Sequence, residues 1–362
     1  GRKSDQRRIC KVLRENIWEQ SVISEVLEGI YTIKVSIALT TYNGERYLQE
    51  QLNSFLHQTR LPDEIIACDD CSTDRTMDIL ESFAKSAPFA VHIYRNAINL
   101  GYTKNFERAI SLCSGDVIFL SDQDDVWFPE KIEVVLNTFR SKKGALVVIN
   151  DAKITDEYLK PTNITLRGQI HSANLSDEYF IYGCCTAIKS EFVPLILPIP
   201  SEYFAFDGWI HKISCTLNCR VSLFQPLQFH RHHTDSASDY FASKTKPATI
   251  LNRIIYYCKY YCKLRKSSQS HQEMALKRVE GLKFVSNYLV EQRIEIERCL
   301  GESIKWNTIM NDIRMEQEAA ERRLALLKKN RFLRLPTALM MLLRGDYRYF
   351  MGWISFIGDL VR

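Results

Sequence analysis

With 362 residues, 46% of them apolar, the chain is long enough for one full domain plus a substantial appendage, and apolar enough to bury a sizeable core. Its formal charge of +5 hides a split, because residues 240–362 carry 23 Lys/Arg against 12 Asp/Glu, a local +11, which leaves −6 for residues 1–239. That split argues against a nucleic-acid protein with basic charge spread over a reading surface, and for an acidic functional region followed by a basic region suited to an anionic membrane.

Residues 1–32 read as a helical extension, with Ile9, Leu13 and Ile17 stepping by four. The pattern then changes. Lys34 to Thr41 is a short apolar strand, followed by a turn at Asn43-Gly44 and a helix whose apolar positions are Leu48, Leu52 and Phe55. Glu64 to Asp69 repeats the strand, and Ser72-Thr73-Asp74 supplies the cap of the next helix. A strand over Ala90 to Arg95, a helix over Thr103 to Cys113 and a strand over Asp116 to Ser121 complete the alternation. Strands alternating with helices of this length predict right-handed crossovers and an α/β fold with a mostly parallel sheet. From residue 140 to 235 the alternation is irregular, and beyond Thr245 the chain is helical and basic, with Leu276, Val279, Leu282, Val285 and Leu289 at three- and four-residue steps.

Eleven cysteines scattered through a long chain, often inside apolar segments, fit a reducing cytosol better than a disulfide framework. Cys68 and Cys71 form a C-x-x-C, but no second Cys/His pair has zinc-site spacing, so they read as structural. No signal-peptide pattern opens the sequence, and the longest uncharged stretch near the end, Tyr349 to Gly358, is too short to span a bilayer. The expected location is the cytoplasm, at the inner face of the cell membrane if the basic region meets lipid.

Ligands of parallel sheets bind beyond the carboxyl ends of the strands. Three polar loops fall there: Thr41-Tyr42-Asn43, Asp69-Asp70 and Asp122-Gln123-Asp124-Asp125. Asp122 and Asp124, spaced as D-x-D after an apolar strand, offer two carboxylates projecting the same way, and hard oxygen ligands suit Mg or Mn. By itself such a pair is common at strand ends. The ordered run Val35-Ser-Ile-Ala-Leu-Thr-Thr-Tyr-Asn-Gly-Glu45, Ile66-Ala-Cys-Asp-Asp-Cys-Ser-Thr-Asp74, Asn99-Leu-Gly101 with Lys104-Asn105, and Phe119-Leu-Ser-Asp-Gln-Asp-Asp-Val-Trp127 closely resembles family 2 glycosyltransferases over residues 33–235.

The resemblance implies a GT-A fold, inversion at the anomeric centre, a nucleotide-sugar donor and a divalent cation held with the diphosphate by the D-x-D. It places Thr41, Tyr42, Glu45, Asp69 and Asp70 in the nucleotide pocket, with one of the two aspartates accepting the N3 proton of uracil or thymine. Lys104 and Asp122 then lie near the phosphates, Asp122 and Asp124 on the metal, and Asn105 is architectural. Cys71 stands where the family usually has Gly or Asn, which is tolerable if the turn does not need positive φ.

Phe206-Asp-Gly-Trp-Ile210 is similar to the H-D-W-W-type segment of bacterial rhamnosyltransferase-like members, which implies that Asp207 is the general base. The alternative is a cap for a helix over Gly208 to Leu217. His230-Arg-His-His233 resembles the Y-R-x-H segment that follows, implying His233 at the metal or diphosphate and Arg231 on a phosphate; the alternative is a solvated histidine cluster. Gly183-Cys-Cys-Thr186 matches an acceptor-side segment in which a small residue lets substrate approach. Trp127 and Trp209 either stack on sugar or base or belong to the core.

Two other functions are compatible with parts of the sequence. Asp122-Gln-Asp-Asp-Val126 satisfies the D-x-D-x-V nucleophile signature of haloacid-dehalogenase-like phosphatases, although that motif normally follows the first strand of its domain. A GT-A module that binds nucleotide sugar or glycan without turnover is the second. The division expected is an extension (1–32), a GT-A domain (33–240) and a basic helical region (241–362). The donor expected is dTDP-rhamnose or a UDP-hexose, the acceptor a surface polysaccharide or a lipid-linked glycan, with no nucleic-acid partner. Lys328, Lys329, Arg331 and Arg334, beside the apolar stretches Leu339 to Leu343 and Phe350 to Ile357, suit peripheral membrane contact or packing of these helices on the core.

Overall fold

The computed structural model describes residues 33–172, 175–201, 205–233, 271–301, 304–350 and 352–361. The expected N-terminal helix and the chain between 234 and 270 lie outside the described residues. Strands β1 (Val35–Thr41), β2 (Glu64–Asp69), β3 (Ala90–Arg95) and β4 (Val117–Ser121) are parallel and stand in the order β3-β2-β1-β4. Their crossovers are α1 (Leu48–Leu56), α2 (Thr76–Ser86) and α3 (Tyr102–Leu112).

Beyond β4 the sheet becomes mixed. Strand β5 (Val126–Trp127) and helix α4 (Lys131–Ser141) lead into β6 (Val147–Thr155), β7 (Pro161–Thr165), α5 (Leu166–Ser172), β8 (Thr186–Lys189), α6 (Phe206–Thr216) and β9 (Arg220–Arg231). The order continues β4-β8-β6-β9-β5, with β7 on β6; β8 runs antiparallel to both of its neighbours, whereas β6 and β9 are parallel.

Side-chain alternation along the strands divides the interior into two layers. Val35, Ile37 and Leu39 of β1 face one side and pack with Leu48, Leu52 and Phe55 of α1, Leu80 of α2 and Ile132, Val135 and Leu136 of α4. Ala38 faces the other side, with Phe106 and Ile110 of α3 and Trp209, Ile210 and Ile213 of α6. That second layer also takes in the helices that follow, through Val285 and Leu289 of α7 (His271–Glu291), Ile296 of α8 (Arg293–Leu300) and Ile313 of α9 (Trp306–Lys328). A separate cluster joins α7 and α9 to α10 (Leu335–Leu343) and α11 (Trp353–Val361) through Leu282, Ala319, Leu326, Ala338, Met341 and Phe356.

Register fixes which loops meet. Thr41 is level with Asp69, and Asp69 with Arg95, while Leu39 is level with Ser121. The three polar loops foreseen from the sequence therefore emerge side by side at the carboxyl end of the parallel strands.

Candidate active site

The loops at this rim are stitched together by side chains that cap each other's backbone. The Asn43 amide donates to Ser72 Oγ at 2.9 Å, the Thr73 amide returns to Asn43 Oδ1 at 2.8 Å, and Gly44 N donates to Thr76 Oγ1 at 2.8 Å. The N-cap of α2 is Arg75 rather than a residue of Ser72-Thr73-Asp74; Asp74, just before it, accepts the Thr76 amide at 3.0 Å and also binds the Glu45 amide at 3.0 Å. Glu45 itself accepts from the Arg75 amide at 3.0 Å and side chain at 3.3 Å. Gln123, the central residue of the D-x-D, donates through Nε2 to Tyr42 O at 2.9 Å and accepts the Tyr42 amide at 2.8 Å. The loops Thr41–Asn43 and Asp122–Asp125 are thereby joined by a two-way backbone clamp, which leaves the Tyr42 ring half exposed at the rim.

Asp69 and Asp70 are both buried. Asp69 accepts from Thr41 Oγ1 at 3.0 Å, from Ser72 N at 2.9 Å and from Ser72 Oγ. Asp70 accepts from Asn96 Nδ2 at 2.7 Å, Leu100 N at 2.7 Å and Gly101 N at 2.9 Å, so it fastens the start of α3 to the rim. Asn105 has the architectural role foreseen for it, donating to Cys68 O at 2.9 Å and accepting from Asn96 at 2.9 Å. Cys71 departs from expectation: its φ is +66°, so the turn does need the left-handed region that Gly or Asn adopts cheaply. Its thiol lies 3.0 Å from Asn96 O. Lys104 is directed to Glu107 at 2.7 Å and Ile199 O at 3.3 Å.

The D-x-D follows β4 directly. Burial pushes the Asp122 carboxyl well above the usual carboxylate range, and the negative charges of Asp124, Asp125 and Asp207 push it further. His233 Nε2 stands 2.9 Å from Asp124 Oδ2, and the His233 ring packs on Tyr47 at 4.7 Å. Two ligands at right angles around an octahedral ion with bonds of about 2.1 Å stand about 3 Å apart. The Asp124–His233 pair is spaced as two such neighbouring ligands, and the carboxylates of this loop are hard donors of the kind that suits Mg or Mn; Asp122 does not join the pair within 4.8 Å in this structure.

Among the described residues, three potential ligand atoms come within 4.8 Å of one another only in Asp125, Cys184 and His230. This cluster is already satisfied internally. His230 Nδ1 is 3.3 Å from Asp125 Oδ1, while Gln228 Nε2 donates to Asp125 at 2.6 Å. Burial alone would raise the Asp125 carboxyl, but the His230 charge outweighs it and holds Asp125 below its usual range; His230 is raised in return. A hydrogen bond with the Cys185 thiol and burial drive the free Cys184 thiol far up, away from the thiolate that binds metal. Beneath it Lys131 is fully enclosed, donating to Cys184 O at 3.1 Å and to Gln228 Oε1 and lying 3.9 Å over the Trp127 ring. Burial lowers its pKa to about 8. Lys131 and Gln228 were missed in the sequence, where a lysine opening an amphipathic helix looks solvated.

Arg231 requires a correction. Its guanidinium is buried and donates to Asp124 O at 2.8 Å, to Glu157 O at 2.7 Å and to the Glu50 carboxylate, with the Tyr47 ring 4.6 Å away. It braces the D-x-D backbone, and those donors are not turned to a phosphate. Trp127 and Trp209 are likewise core residues: Trp127 packs edge-on against Phe55 at 4.8 Å, and Trp209 donates to Ile196 O at 3.0 Å. Gly183 also serves packing, since a Cβ there would lie 2.3 Å from Phe206 Cζ.

Asp207 sits inside the first turn of α6, which begins at Phe206 with Ala205 as its N-cap, so it is not the cap. Burial raises its carboxyl, opposed by hydrogen bonds from the backbone of Gly208, at 2.7 Å, and of Gly183. Its charge contributes to the raised pKa of both Asp122 and Tyr102, so the base candidate lies within electrostatic reach of the D-x-D.

The glycosyl transferase family 2 model matches residues 36–193. This segment is a family 2 glycosyltransferase domain. The dTDP-rhamnosyl transferase RfbG of Shigella flexneri is 40% identical over 99 residues, which is 26% of this chain and 34% of that protein. The UDP-Glc:alpha-D-GlcNAc-diphosphoundecaprenol beta-1,3-glucosyltransferase WfgD of Escherichia coli is 26% identical over 199 residues, 51% of this chain and 75% of that one. The match thus spans about a third of the length of RfbG. The crystal structure of S. aureus TarS 1–349 in complex with UDP-GlcNAc is similar at a TM-score of 0.50 and 17% identity, over 91% of this chain and 89% of that one, a likeness of fold alone. The fold of the family 2 domain is GT-A, as the motifs implied. The phosphatase reading finds no support, because Asp122 follows the fourth strand of a family 2 domain.

Proposed function

We propose that this chain is an inverting, metal-dependent glycosyltransferase that moves a sugar from a nucleoside-diphosphate donor to a hydroxyl of a surface polysaccharide or lipid-linked glycan. The observation that carries this reading is the D-x-D at the carboxyl end of β4 within the segment that matches the family 2 model, with the buried Asp207 in electrostatic reach of Asp122. A nucleophilic hydroxyl needs a base on the face opposite the leaving diphosphate. Asp207 supplies one whose raised pKa retains the proton better than a solvated carboxylate would, while the amides of Gly183 and Gly208 fix its orientation. The first turn of α6 favours the ionised form needed before the transfer.

Asp122, Asp124 and His233 would hold Mg or Mn, which supplies stabilisation of the negative charge developing on the diphosphate. Arg231 and Gln123 keep these ligands in register with the nucleotide loop. Asp69 is wholly enclosed, so of the acidic pair we assign Asp70 to the N3 proton of the base; its Oδ2 accepts one bond, from Gly101, and keeps a further acceptor site. The Tyr42 ring is then available to stack on the base. The name of RfbG favours dTDP-rhamnose as donor, with a UDP-hexose as the second choice from that of WfgD. Residues 33–240 carry this chemistry, and residues 241–362 hold the catalytic domain at the inner face of the membrane.

The test is a panel of dTDP- and UDP-linked sugars with Mn or Mg, read by thermal stabilisation and by turnover on a glycan acceptor. One donor should stabilise the protein only with metal present. Undiminished turnover in excess chelator would remove the metal from this scheme, and phosphate release from a simple phosphate ester with no response to any nucleotide sugar would overturn it altogether.

A further inference from the structure

Between residues 328 and 361 the sequence has two carboxylates, Asp346 and Asp359, and both are buried. Consecutive arginines of α9 account for them. Arg322 grips Asp346 through two bonds of 2.8 and 2.9 Å, and Arg323 grips Asp359 through two of 2.8 Å. Arg334, grouped with the basic cluster in the sequence, is also internal, donating to the carbonyls of Lys329, Leu327 and Asp359. What remains outside is cationic: Lys328, Lys329, Arg331, Arg344 and Arg348 are exposed, with no exposed acid among them.

The same segment turns apolar side chains outward. On α10, Leu335, Leu339 and Leu343 recur every four residues and are exposed, Leu343 by 89%; on α11, Trp353, Ile357 and Val361 do the same, at 64, 56 and 70%. Phe332 and Leu333 extend the strip at the preceding turn. The inner faces of both helices are already spent, through Ala338, Met341 and Phe356 in the cluster on α9. Packing on the core therefore explains one face of each helix and leaves the other without a partner among the described residues. No helix among the described residues is long and apolar enough to cross a membrane.

We infer that the outer face of α10 and α11, with the turn at Phe332-Leu333, docks on an anionic lipid bilayer, lying in the interface plane with its leucines and Trp353 in the headgroup boundary and its lysines and arginines on the lipid phosphates. Charge complementarity selects this occupant: an apolar strip rimmed by cations, with both carboxylates of residues 328–361 sequestered, matches negatively charged lipid. The inference deepens the reading of a lipid-linked acceptor, because a peripheral site would hold the cleft near such a substrate. Its test is independent of catalysis.

Sedimentation of the full chain with phosphatidylglycerol-containing vesicles should show binding at roughly 0.1 M salt that falls about tenfold at roughly 1 M, and little binding to phosphatidylcholine. The pair Leu339→Asp and Leu343→Asp should weaken binding about tenfold or more while leaving the thermal midpoint, and turnover on a water-soluble acceptor, unchanged. Lys328→Glu with Arg331→Glu should remove most of the salt-dependent part. Equal binding to both lipids, no binding at either salt, or self-association abolished by the leucine pair would overturn the inference, the last assigning the face to a second copy. For the unaltered chain, absent vesicle binding with turnover intact refutes the docking face alone, whereas absent turnover with binding intact refutes the enzymatic reading alone.

Discussion

Two carboxylate neighbourhoods at opposite ends of the same sheet show how differently one fold treats one functional group. Glu64, at the start of β2, is buried, yet Ser36 Oγ, the Ser114 amide and hydroxyl and Lys34 all donate to it, and its pKa falls to about 2 despite the desolvation. Asp122, at the other end, is desolvated with the carboxylates of Asp124, Asp125 and Asp207 for company and rises, and Asp207 rises by desolvation against the backbone amides of Gly208 and Gly183. The difference lies in the partners. Where the protein supplies side-chain donors and a lysine it has made a joint between strands; where it supplies like charges, or backbone amides alone, it has left a carboxyl whose charge a cation or a proton answers.

The strongest way to break this contrast is Asp124→Ala, expected to lower turnover roughly 10⁴-fold, the several kcal/mol a divalent cation contributes, and to abolish stabilisation by Mn. Excess chelator on the unaltered protein should match it, and a rate assay beside calorimetry checks both. Asp207→Asn should lower turnover roughly 10²- to 10⁴-fold with donor and metal binding preserved in titration. Because a base works deprotonated, the acid limb of kcat/KM should lie above the ordinary carboxylate pKa, in the direction that burial moves Asp207. The same raised pKa means that ionised Asp207 costs stability once the pH exceeds its folded value, so the asparagine variant should melt higher at neutral pH. Near-wild-type turnover would return Asp207 to a structural role.

Glu64→Gln should do the reverse, costing about 2–3 kcal/mol of stability and changing turnover less than about twofold. Its depressed pKa contributes stability that is complete above the unfolded value of 4.5 and is lost as the pH falls toward 2, so the two proteins should converge in acid denaturation. The smallest effect is at Cys71, where Gly should relieve the left-handed backbone and stabilise by about 1 kcal/mol, less the lost thiol contact with Asn96. A fall in the melting temperature would show that the contact outweighs the strain.

Much of this was legible in the sequence. The parallel half of the sheet announces itself through short apolar runs that end in polar turns, and β1–β4 begin and end within a residue of where periodicity puts them. The rim residues were legible for the same reason, since a strand end fixes which loop faces the ligand. Side-chain direction was not. Arg231 and Glu50 are far apart in the chain, and nothing local says that the arginine turns inward to brace the D-x-D. Lys131 looks like any lysine on an amphipathic helix until Trp127 and Gln228 enclose it. Cys71 and Gly183 depend on a backbone angle and on a ring from another segment, which composition does not encode.

The meeting of Gly183 with the Phe206 ring also constrains how this site can vary among relatives. That ring is stacked 4.0 Å from Phe106 and has no room to retreat, and the backbone that would carry any side chain at 183 is the same backbone that hydrogen-bonds Asp207. The two positions are therefore not free to drift singly. A larger residue at 183 requires a smaller one at 206 in the same lineage, and a chain that gained the first without the second would keep its aspartate while losing the backbone geometry that orients it for the role proposed here.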